Sequence, residues 1–321
     1  MKLNILITGG FGLLGSNLYN FLDKKYNVYI LDKKKNFFKK NYSNIKKNKI
    51  FLGDYLNKNY IKNILKKNNI NVIFHTGAVT QVLGALDNPE YTYQNNINGT
   101  INFLEIIREI NKKIVFVYSS SDKAYGEVGK KSYKEDTPFR SIFPYDVSKS
   151  CADLICQSYS KTYGLKIGIL RCGNLYGPGD FNQNRLIPEC ILSYLKNKNF
   201  NIRSNGRLVR DYLFIEDAVK AYYLVMKSLL KNKSNFLKIY NVGSKYNLDV
   251  ISLVKKIGEF FPKKEIRINV KNSSIKEIYF QKLDYKKISK DLNWKPKTNL
   301  SEGLAKTIKW YKKHKNSFSV I

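Results

Sequence analysis

The chain has 321 residues, of which 43% are hydrophobic and 26% are charged, and its formal net charge is +32. This length and hydrophobic content suffice for a large core in one or two domains, and they exclude a disordered chain. The four cysteines have no C-x-x-C spacing and only two histidines occur, so no metal site is expected. No apolar run is long enough to span a bilayer, and we expect a cytoplasmic protein with reduced thiols and no membrane insertion.

The positive charge would ordinarily indicate a nucleic acid or an anionic membrane surface as partner. Most of the basic residues are lysines, although arginine is preferred for bidentate phosphate contacts, and lysine pairs are spread from Lys24-Lys25 to Lys312-Lys313. We interpret the charge as lysine on solvated faces and expect no nucleic-acid partner. The alternative is a positive field that draws in an anionic substrate.

Apolar strands alternate with helical patterns through the first half of the chain, as in a doubly wound parallel sheet. The predicted strands cover residues 3–8, 27–32, 49–52, 71–75, 113–118 and 166–170. The predicted helices cover 13–25, 57–68, 88–110 and 145–162, and after residue 171 they cover 186–197, 216–231, 249–261, 284–291 and 300–315. We therefore predict an α/β protein, with a Rossmann-type sheet domain over 1–170 and a smaller C-terminal α/β substrate lobe over 171–321.

A glycine-rich loop joins the first predicted strand to the first helix, with the sequence Thr-Gly-Gly-Phe-Gly-Leu-Leu-Gly from residue 8 to residue 15. Gly9 suits a tight turn, Gly12 lets the backbone approach a pyrophosphate, and Gly15 lets the helix pack closely on the strand. The helix N-terminus can then hold the phosphate charge. The loop alone could be an ordinary glycine-rich turn, but its position between strand and helix predicts a dinucleotide-binding domain.

The second predicted strand ends in Asp32, where an acid is expected to meet the adenosine ribose hydroxyls. Asp32 therefore favours NAD over NADP, although Lys33-Lys34-Lys35 could hold a 2′-phosphate. Because ligands bind at the carboxyl ends of parallel strands, residues 32, 54, 75–78 and 119–123 should meet in one crevice. His75 is interpreted as a hydrogen-bonded histidine at a strand end. The predicted cofactor-binding residues are Gly9, Phe11, Gly12, Leu13, Gly15, Asp32, Lys33, Asp54, Tyr55, Gly77, Ala78, Asn96, Ser119, Tyr145 and Lys149.

Tyr145 and Lys149 lie four residues apart on the helix predicted to begin just after Pro144, so their side chains share one face. A lysine ammonium beside a phenol, with an oxidised nicotinamide nearby, pulls the phenol pKa down from about 10. Such a tyrosine can take a proton from an alcohol while hydride passes to NAD. The spacing alone could describe a surface Tyr and Lys, but the glycine loop and the serine run ending at Ser121 favour the catalytic interpretation.

Taken together, these residues resemble the extended short-chain dehydrogenase/reductase family that acts on nucleotide sugars. Further stretches of the resemblance are residues 96–100, 171–177, 210–212, 216–217 and 294–296. The resemblance implies that Ser121 binds the 4-hydroxyl of the sugar, that Tyr145 is the base, and that Lys149 binds the nicotinamide ribose. It further implies the substrate-binding residues Thr80, Asn174, Arg185 and Arg210. A nucleotide-diphosphate sugar, a role in polysaccharide biosynthesis, and a homodimer paired through 88–110 and 145–162 are also implied.

The residues after Ser121 divide this family, because epimerases carry small inert residues there and 4,6-dehydratases carry an acid followed by Glu or Lys. The pair Asp122-Lys123, with residues 171–174, 179–180 and 184–188, resembles the CDP-glucose 4,6-dehydratase branch most. Oxidation at C4 acidifies the C5 proton, which Lys123 would remove while Asp122 protonates the departing C6 hydroxyl. Hydride then returns to C6. Adjacent Asp122 and Lys123 could instead form an ion pair.

Two features leave the nucleotide base open. Residues 280–284 lack the arginine that binds the nucleotide in many relatives, and the tryptophan-containing insertion that usually follows Asp-Lys in CDP-glucose enzymes is absent. Two other hypotheses remain beside the dehydratase. A 4-epimerase or 4-dehydrogenase/reductase needs only Ser121, Tyr145 and Lys149, and a non-catalytic basic binding protein would keep the fold without the chemistry.

Overall fold

The structure, a computed structural model, describes residues 2–33, 45–232, 234, 236–273 and 277–318. The strands of the described residues are β1 (Asn4–Thr8), β2 (Asn27–Asp32), β3 (Ile50–Leu52), β4 (Val72–His75), β5 (Val115–Ser121), β6 (Lys166–Cys172), β7 (Asn174–Tyr176), β8 (Phe200–Ile202), β9 (Val209–Phe214), β10 (Leu237–Val242), β11 (Asn247–Asp249) and β12 (Ile268–Val270).

The α-helices of the same residues are α1 (Leu13–Leu22), α2 (Lys58–Lys67), α3 (Val82–Asp87), α4 (Pro89–Tyr93), α5 (Gly99–Ile110), α6 (Pro144–Tyr163), α7 (Leu186–Lys196), α8 (Ile215–Lys231), α9 (Val250–Gly258), α10 (Lys286–Leu292) and α11 (Leu300–Lys313). A short 3₁₀ helix, Asp122–Tyr125, follows β5 directly.

A seven-stranded sheet forms the centre of the fold, in the order β10-β6-β5-β4-β1-β2-β3, and all its neighbouring strands are parallel. The order 3-2-1-4-5-6 is that of a doubly wound Rossmann sheet, so the predicted fold class is confirmed. The strand order reverses between β1 and β4. Ligands of such sheets bind at the carboxyl ends of the strands beside this reversal.

Hydrophobic cores cover both faces of the large sheet. Side chains alternate along β1, so that Ile5 and Ile7 pack into the core that includes α1 and α8, whereas Leu6 packs into the core that includes α2, α5 and α6. Both faces are therefore buried, which explains why these strands are almost continuously apolar instead of alternating with polar residues.

Two regions differ from the predicted arrangement. The seventh strand, β10, comes from the range assigned to the second lobe, yet it pairs with β6 in the large sheet. The functional division at residue 170 stays a prediction. The predicted helix over 88–110 is helical throughout from Pro89 to Ile110, but its middle turn, Gln94–Asn98, is a π-helix between α4 and α5, and a further short helix, α3, precedes it. Asn88 caps α4, because its side chain accepts a hydrogen bond from the Tyr91 amide at 3.1 Å.

The C-terminal part of the chain is held to α8 by one residue, Asp217. The Asp217 carboxylate accepts hydrogen bonds from the amides of Lys297 and Thr298 at 3.1 and 2.8 Å, and the Asp217 backbone carbonyl accepts one from the Trp294 indole at 3.0 Å. The segment at residues 216–217 and the segment at residues 294–298 are therefore joined by these hydrogen bonds, although they are distant in sequence. Beside them lie a three-stranded sheet, β11-β9-β7, and a two-stranded sheet, β12-β8.

No helix in the described ranges combines the length and apolar character needed to cross a bilayer. The four cysteines are free thiols.

A buried ion pair joins α6 to β6. The Arg171 guanidinium donates two hydrogen bonds to the Asp153 carboxylate, both 2.9 Å long, and the side chains are 3% and 0% exposed. Ser120 of β5 donates a third hydrogen bond to Asp153 at 2.7 Å. A fully paired arrangement is required here, because an uncompensated charge in such a place is strongly unfavourable.

Asp153→Asn keeps the size of the side chain and removes its charge. We expect the free energy of unfolding to fall by about 3–5 kcal/mol, because Arg171 stays buried without a counter-charge. Urea unfolding followed by circular dichroism measures this difference.

Glu189→Gln is the matched control, since it breaks an exposed ion pair with Arg203 whose N–O distance is 2.7 Å. It should change the free energy of unfolding by less than about 1 kcal/mol. Equal effects of the two substitutions would contradict the importance of the buried pair.

Candidate active site

The glycine loop forms the turn between β1 and α1. Gly9 has a φ of +62°, and a Cβ there would lie 2.6 Å from the Gly77 Cα, so only glycine fits. The heavy atom nearest to a Cβ at Gly12 would be the Gly9 carbonyl oxygen at 3.3 Å, so the outer side of the loop is open. Gly15 packs against the backbone of Gly9 and Gly10. Phe11 is buried and Leu13 is half-buried. This geometry fits a pyrophosphate at the N-terminus of α1.

Asp32 stands beside this loop at the end of β2. Its carboxylate accepts hydrogen bonds from the Phe11 amide at 3.0 Å and from the Lys33 amide at 2.8 Å. The Lys33 ammonium pairs with Asp54 at 3.0 Å and donates to Asn95 at 2.5 Å. An acid at the loop and an already paired Lys33 both favour a ribose with free hydroxyls over a 2′-phosphate. Lys34 and Lys35 lie outside the described residues.

His75 lies at the end of β4 and contacts Thr8, the first residue of the glycine loop. Its Nδ1 lies 2.9 Å from the Thr8 hydroxyl oxygen, which also accepts the Gly77 amide at 3.0 Å. The imidazole is buried among aromatic rings, including that of Tyr55, and burial lowers the pKa of His75 to about 3. A histidine this buried and neutral is a structural support, as predicted. The ring of Tyr55 is also buried and closes against Gly77.

Asn96, in the π-helix, positions the segment after β4. Its side-chain amide accepts from the Val79 amide at 2.8 Å and donates to the Val79 carbonyl at 3.1 Å and to the Ser148 hydroxyl at 2.9 Å. These bonds hold the loop that carries Ala78 and Thr80 against α6. π-Helical turns are frequent at functional sites, and here the turn supports the loop.

Tyr145 and Lys149 lie in the first turns of α6 and are both buried. The Lys149 ammonium donates to the Ser119 carbonyl at 2.8 Å and lies 5.1 Å from the ring centre of Tyr118. Burial lowers the pKa of Lys149 to about 8. The Ser119 hydroxyl accepts a hydrogen bond from Tyr222 at 2.9 Å. The lysine and the end of β5 are therefore fixed to each other.

The Tyr145 phenol lies within reach of Ser121. Burial raises the pKa of Tyr145 and the charge of Asp146 adds to this, whereas a hydrogen bond with Ser121 and the charge of Arg185 lower it. The predicted lowering of this pKa included the positive charge of an oxidised nicotinamide. In the protein by itself, burial and the neighbouring acids raise the pKa of Tyr145. A lowered pKa in the presence of the cofactor stays a prediction.

Ser121, Asp122 and Lys123 follow one another where β5 passes into the 3₁₀ helix. The Ser121 hydroxyl accepts from the Lys123 amide and donates to Asp122 Oδ1, both at 3.2 Å. Asp122 is 3% exposed, and its Oδ2 has no hydrogen-bond partner among the described residues. Burial raises the pKa of Asp122 to about 6, although the charges of Lys123 and Arg210 oppose this. A carboxyl group of this kind can hold a proton close to neutral pH.

Lys123 does not pair with its neighbour. Its ammonium lies 3.7 Å from Glu277 Oε2, and no ion pair within 4.0 Å joins it to Asp122 in the described part of the chain. Glu277 also pairs with Arg210 at 2.7 Å. The structure therefore does not show the alternative Asp122–Lys123 ion pair, and Lys123 pairs with Glu277 instead.

Sequence reasoning missed two acidic residues of this cluster, Glu277 and Asp146. Glu277 is far along the chain from Lys123, and no local pattern indicates the contact. Asp146 follows Tyr145 directly, and an acid in the first turn of a helix has an ordinary explanation in the helix dipole. Their charges act on each other and on Lys123. The signal that could have revealed Asp146 is its place beside the predicted base.

The predicted substrate-binding residues are partly engaged with the protein. Arg210 bonds to Glu277, and Arg185 bonds to Asp180 at 2.8 Å and to the Leu175 carbonyl at 2.7 Å. Asn174 Nδ2 is buried with no hydrogen-bond partner among the described residues. Thr80 is exposed. In the described ranges, no three His, Cys, Asp or Glu side chains are arranged to hold a metal ion.

Comparison with known proteins connects this geometry to one family. The sequence model of the family described as GDP-mannose 4,6 dehydratase matches residues 6–307. A trifunctional protein of Arabidopsis thaliana, named as a UDP-glucose 4,6-dehydratase, 3,5-epimerase and reductase, is 31% identical over 96% of this chain. The chain spans only 47% of that relative's length.

The dTDP-glucose 4,6-dehydratase of Haemophilus influenzae is 29% identical, and the match covers 96% of this chain and 98% of the relative. The crystal structure of the dTDP-glucose 4,6-dehydratase of Bacillus anthracis in complex with NAD has a TM-score of 0.86 and 27% identity, and covers 98% of each chain. Fold, strand-end residues and sequence match agree over nearly the whole chain. The chain belongs to the GDP-mannose 4,6-dehydratase family of extended short-chain dehydrogenases/reductases.

Proposed function

We propose that the protein is an NAD-dependent nucleotide-sugar 4,6-dehydratase, which converts a nucleotide-diphosphate hexose into its 4-keto-6-deoxy product with loss of one water. The observation that carries this proposal is the buried Asp122 beside Ser121, whose pKa of about 6 lets it deliver a proton. The family resemblance implies that epimerases carry small inert residues in this place. The names of the relatives from Haemophilus influenzae and Arabidopsis thaliana support the same reaction.

The described residues fit NAD as the cofactor. Gly9 and Gly12 give an open loop at the N-terminus of α1, and Asp32 stands where ribose hydroxyls would be bound. NAD supplies reversible hydride transfer, away from C4 of the sugar at the start and to C6 at the end. We also propose that residues 1–170 bind this cofactor and that residues 171–321 bind the nucleotide sugar.

The first half of the reaction is oxidation at C4. Tyr145 accepts the proton of the 4-hydroxyl as the C4–H bond breaks, so the alcohol becomes a ketone. Ser121, which is linked to Tyr145, holds the oxygen of that hydroxyl in place. Lys149 is fixed to Ser119, and its positive charge stabilises the phenolate form of Tyr145.

The second half removes water across C5 and C6. The new C4 ketone makes the C5 proton acidic, and Lys123 takes that proton. Asp122 gives its proton to the C6 hydroxyl, which leaves as water while a C5–C6 double bond forms. Lys123 then returns a proton to C5 when C6 is reduced. Asp122 is left as a carboxylate and Tyr145 as a phenol, so the proton that Tyr145 took from the 4-hydroxyl must pass to Asp122, directly or through solvent, before the next turnover. The sum of the steps is the loss of one water.

We propose CDP-glucose as the first candidate substrate, on the basis of Ser121, Asp122 and Lys123 in sequence. UDP-glucose and dTDP-glucose, which the names of the relatives print, are the other candidates. The diphosphate would be held by Asn174, Arg185 and Arg210, with Thr80 as a further substrate-binding residue. Arg210 must then exchange part of its bond with Glu277 for a phosphate oxygen.

A 4-epimerase or 4-dehydrogenase/reductase is the second candidate. The ion pair between Lys123 and Glu277 favours it, because a lysine must lose its ammonium proton before it can act as a base. Such an enzyme would use Tyr145, Lys149 and Ser121 alone.

We further propose a homodimer that acts in the cytoplasm in polysaccharide biosynthesis. The dimer contact would include α6, whose Leu154 is 53% exposed although it is a large apolar residue. Dilution-dependent light scattering tests the dimer.

Incubation with CDP-, UDP-, dTDP- and GDP-hexoses, followed by mass spectrometry, tests the proposed reaction. We expect one nucleotide sugar to lose the mass of one water, with no net consumption of NAD. An isomer of unchanged mass would support the epimerase instead. A net oxidation product, with reduced cofactor accumulating, would indicate a 4-dehydrogenase.

Asp122→Asn should separate the two halves of the reaction. The amide cannot supply a proton to the C6 hydroxyl, so water loss should slow by about a hundredfold or more, while oxidation at C4 continues. Absorbance of the reduced cofactor and mass spectrometry of the sugar measure the two steps in one reaction.

Tyr145→Phe is the matched control for that experiment, because it should stop C4 oxidation and leave neither signal. Normal dehydration by Asp122→Asn would show that the role given to Asp122 is wrong.

A further inference from the structure

Tyr222 is a fully buried tyrosine whose phenol reaches the end of β5. It belongs to α8, in the range predicted to form the substrate lobe, and its relative exposure is 0%. A buried phenol usually has a hydrogen-bond partner, and here the hydroxyl donates to the Ser119 hydroxyl oxygen at 2.9 Å. The partner therefore lies at the ligand edge of the large sheet, although the proposed reaction gives Tyr222 no role.

Ser119 is held from two sides. Its backbone carbonyl accepts a hydrogen bond from the Lys149 ammonium at 2.8 Å, and its hydroxyl oxygen accepts one from Tyr222. Lys149 is predicted to bind the nicotinamide ribose, so Ser119 lies at the nicotinamide end of the cofactor site. Unlike Tyr222, Ser119 is only partly buried, as a residue that borders the crevice at the strand ends.

The thiol of Cys172, at the end of β6, lies on the other side of the phenol. Its sulfur is 3.6 Å from the Tyr222 hydroxyl oxygen. Burial raises the pKa of Cys172 to about 12 and the pKa of Tyr222 well above its ordinary value, so both groups keep their protons at neutral pH. The single phenol proton goes to Ser119, so the thiol donates to the phenol oxygen. The hydrogen bonds therefore run from the interior towards Ser119.

The direction of these hydrogen bonds determines what the Ser119 hydroxyl can offer. A serine hydroxyl has one proton to donate and accepts through its lone pairs. Because the Ser119 oxygen accepts from Tyr222, its own proton is left for another acceptor. No group in the described part of the chain accepts it. Ser119 thus presents one oriented donor at the nicotinamide end of the crevice.

Packing alone does not explain the Tyr222 hydroxyl. The ring lies in the hydrophobic core, and its centre is 6.4 Å from that of Phe74. A phenylalanine would make the same apolar contacts without burying an oxygen atom. Burial of a hydroxyl is unfavourable, and its hydrogen bonds return only part of that free energy. The effect of the hydroxyl on Ser119 gives it a function.

We propose that Tyr222 is a positioning residue that directs the Ser119 hydroxyl proton to an oxygen atom in the nicotinamide riboside half of NAD. That oxygen belongs either to a ribose hydroxyl or to the nicotinamide carboxamide. Tyr222 touches no cofactor atom in this account and acts through Ser119. The inference rests on NAD as the cofactor and does not depend on the proposed dehydration.

Tyr222→Phe removes the hydroxyl and keeps the ring. The dissociation constant of NAD, measured by isothermal titration calorimetry without any sugar substrate, should rise about three- to tenfold, as expected for one neutral hydrogen bond whose donor is no longer oriented. The affinity for ADP, which has only the adenosine half, should not change. Tyr240→Phe is the matched control, since Tyr240 is 1% exposed and its hydroxyl donates to Asp291 at 3.0 Å beside the outer strand β10. It should leave NAD binding unchanged.

ADP-ribose identifies the acceptor, because it has the second ribose but no nicotinamide. A loss of ADP-ribose affinity as large as that of NAD places the acceptor on the ribose. A loss for NAD alone places it on the carboxamide. Unchanged NAD affinity in Tyr222→Phe, or an equal loss for ADP, would overturn the inference.

A double-mutant cycle separates positioning from general support of the fold. Ser119→Ala removes the oriented donor, so adding Tyr222→Phe to it should weaken NAD binding no further. If Tyr222 only supports the fold, the losses of the two single variants multiply in the double variant, and the inference is wrong. If Tyr222→Phe fails to fold, Tyr222→Met replaces it in both experiments, because its flexible side chain fills the space without a hydroxyl.

Discussion

The ion pair between Arg171 and Asp153 is the interaction on which the geometry of the active site depends. Asp153 follows Lys149 by one helical turn and Tyr145 by two, so all three side chains lie on one face of α6. Arg171 lies near the end of β6, and Ser120 of β5 donates to the same carboxylate. The pair therefore fixes the helix that carries Tyr145 and Lys149 to the strand that carries Ser121.

This arrangement explains why a charged pair is used where an apolar contact would also pack. A buried ion pair adds little net stability compared with apolar residues of the same size, but its hydrogen bonds permit only one register. The proposed proton transfer between Tyr145 and a sugar hydroxyl would need that register, because proton transfer depends on a short, aligned hydrogen bond. The phenol of Tyr125, which accepts a hydrogen bond from Arg171 at 2.8 Å, extends the same network.

The protonation of the candidate active site depends on local burial and not on the net charge of the chain. The protein carries a net charge of +32, yet Lys123 and Arg210 at the candidate active site both pair with Glu277 and interact with the charges of the buried Asp122 and Asp146. Burial brings the pKa values of Asp122 and Asp146 close to neutral pH, where a proton can be both held and given up. The many surface lysines are screened by solvent and salt, so local burial decides the protonation of the site.

Much of this fold could be predicted from the sequence because its signals are local. Alternating apolar strands and helices gave the parallel sheet, and the loop from Gly9 to Gly15 and the acid at Asp32 marked its ligand edge. Four-residue spacing placed Tyr145 and Lys149 on one helical face. Each of these inferences uses residues that are close in sequence, for which backbone geometry determines the spatial relation.

What could not be predicted depends on contacts between distant parts of the chain. The strand β10 pairs with β6 in the large sheet although many residues separate the two strands in sequence. Glu277, in the C-terminal part of the chain, pairs with Lys123. The π-helical turn within the helix over 88–110 carries Asn96, which is bonded to the loop at Val79 and to α6, and both contacts are distant in sequence. Asp146 was visible in the sequence, but only its burial beside Asp122 distinguishes it from an ordinary first-turn acid.

We propose that the hydride taken from C4 returns to C6 of the same sugar. Conversion of a nucleotide hexose that carries deuterium at C4, followed by nuclear magnetic resonance of the product, locates the transferred atom. We expect a 4-keto-6-deoxy sugar with the deuterium in its C6 methyl group. Deuterium retained at C4 of an isomeric sugar, or lost to released cofactor, would show that the hydride does not return to C6.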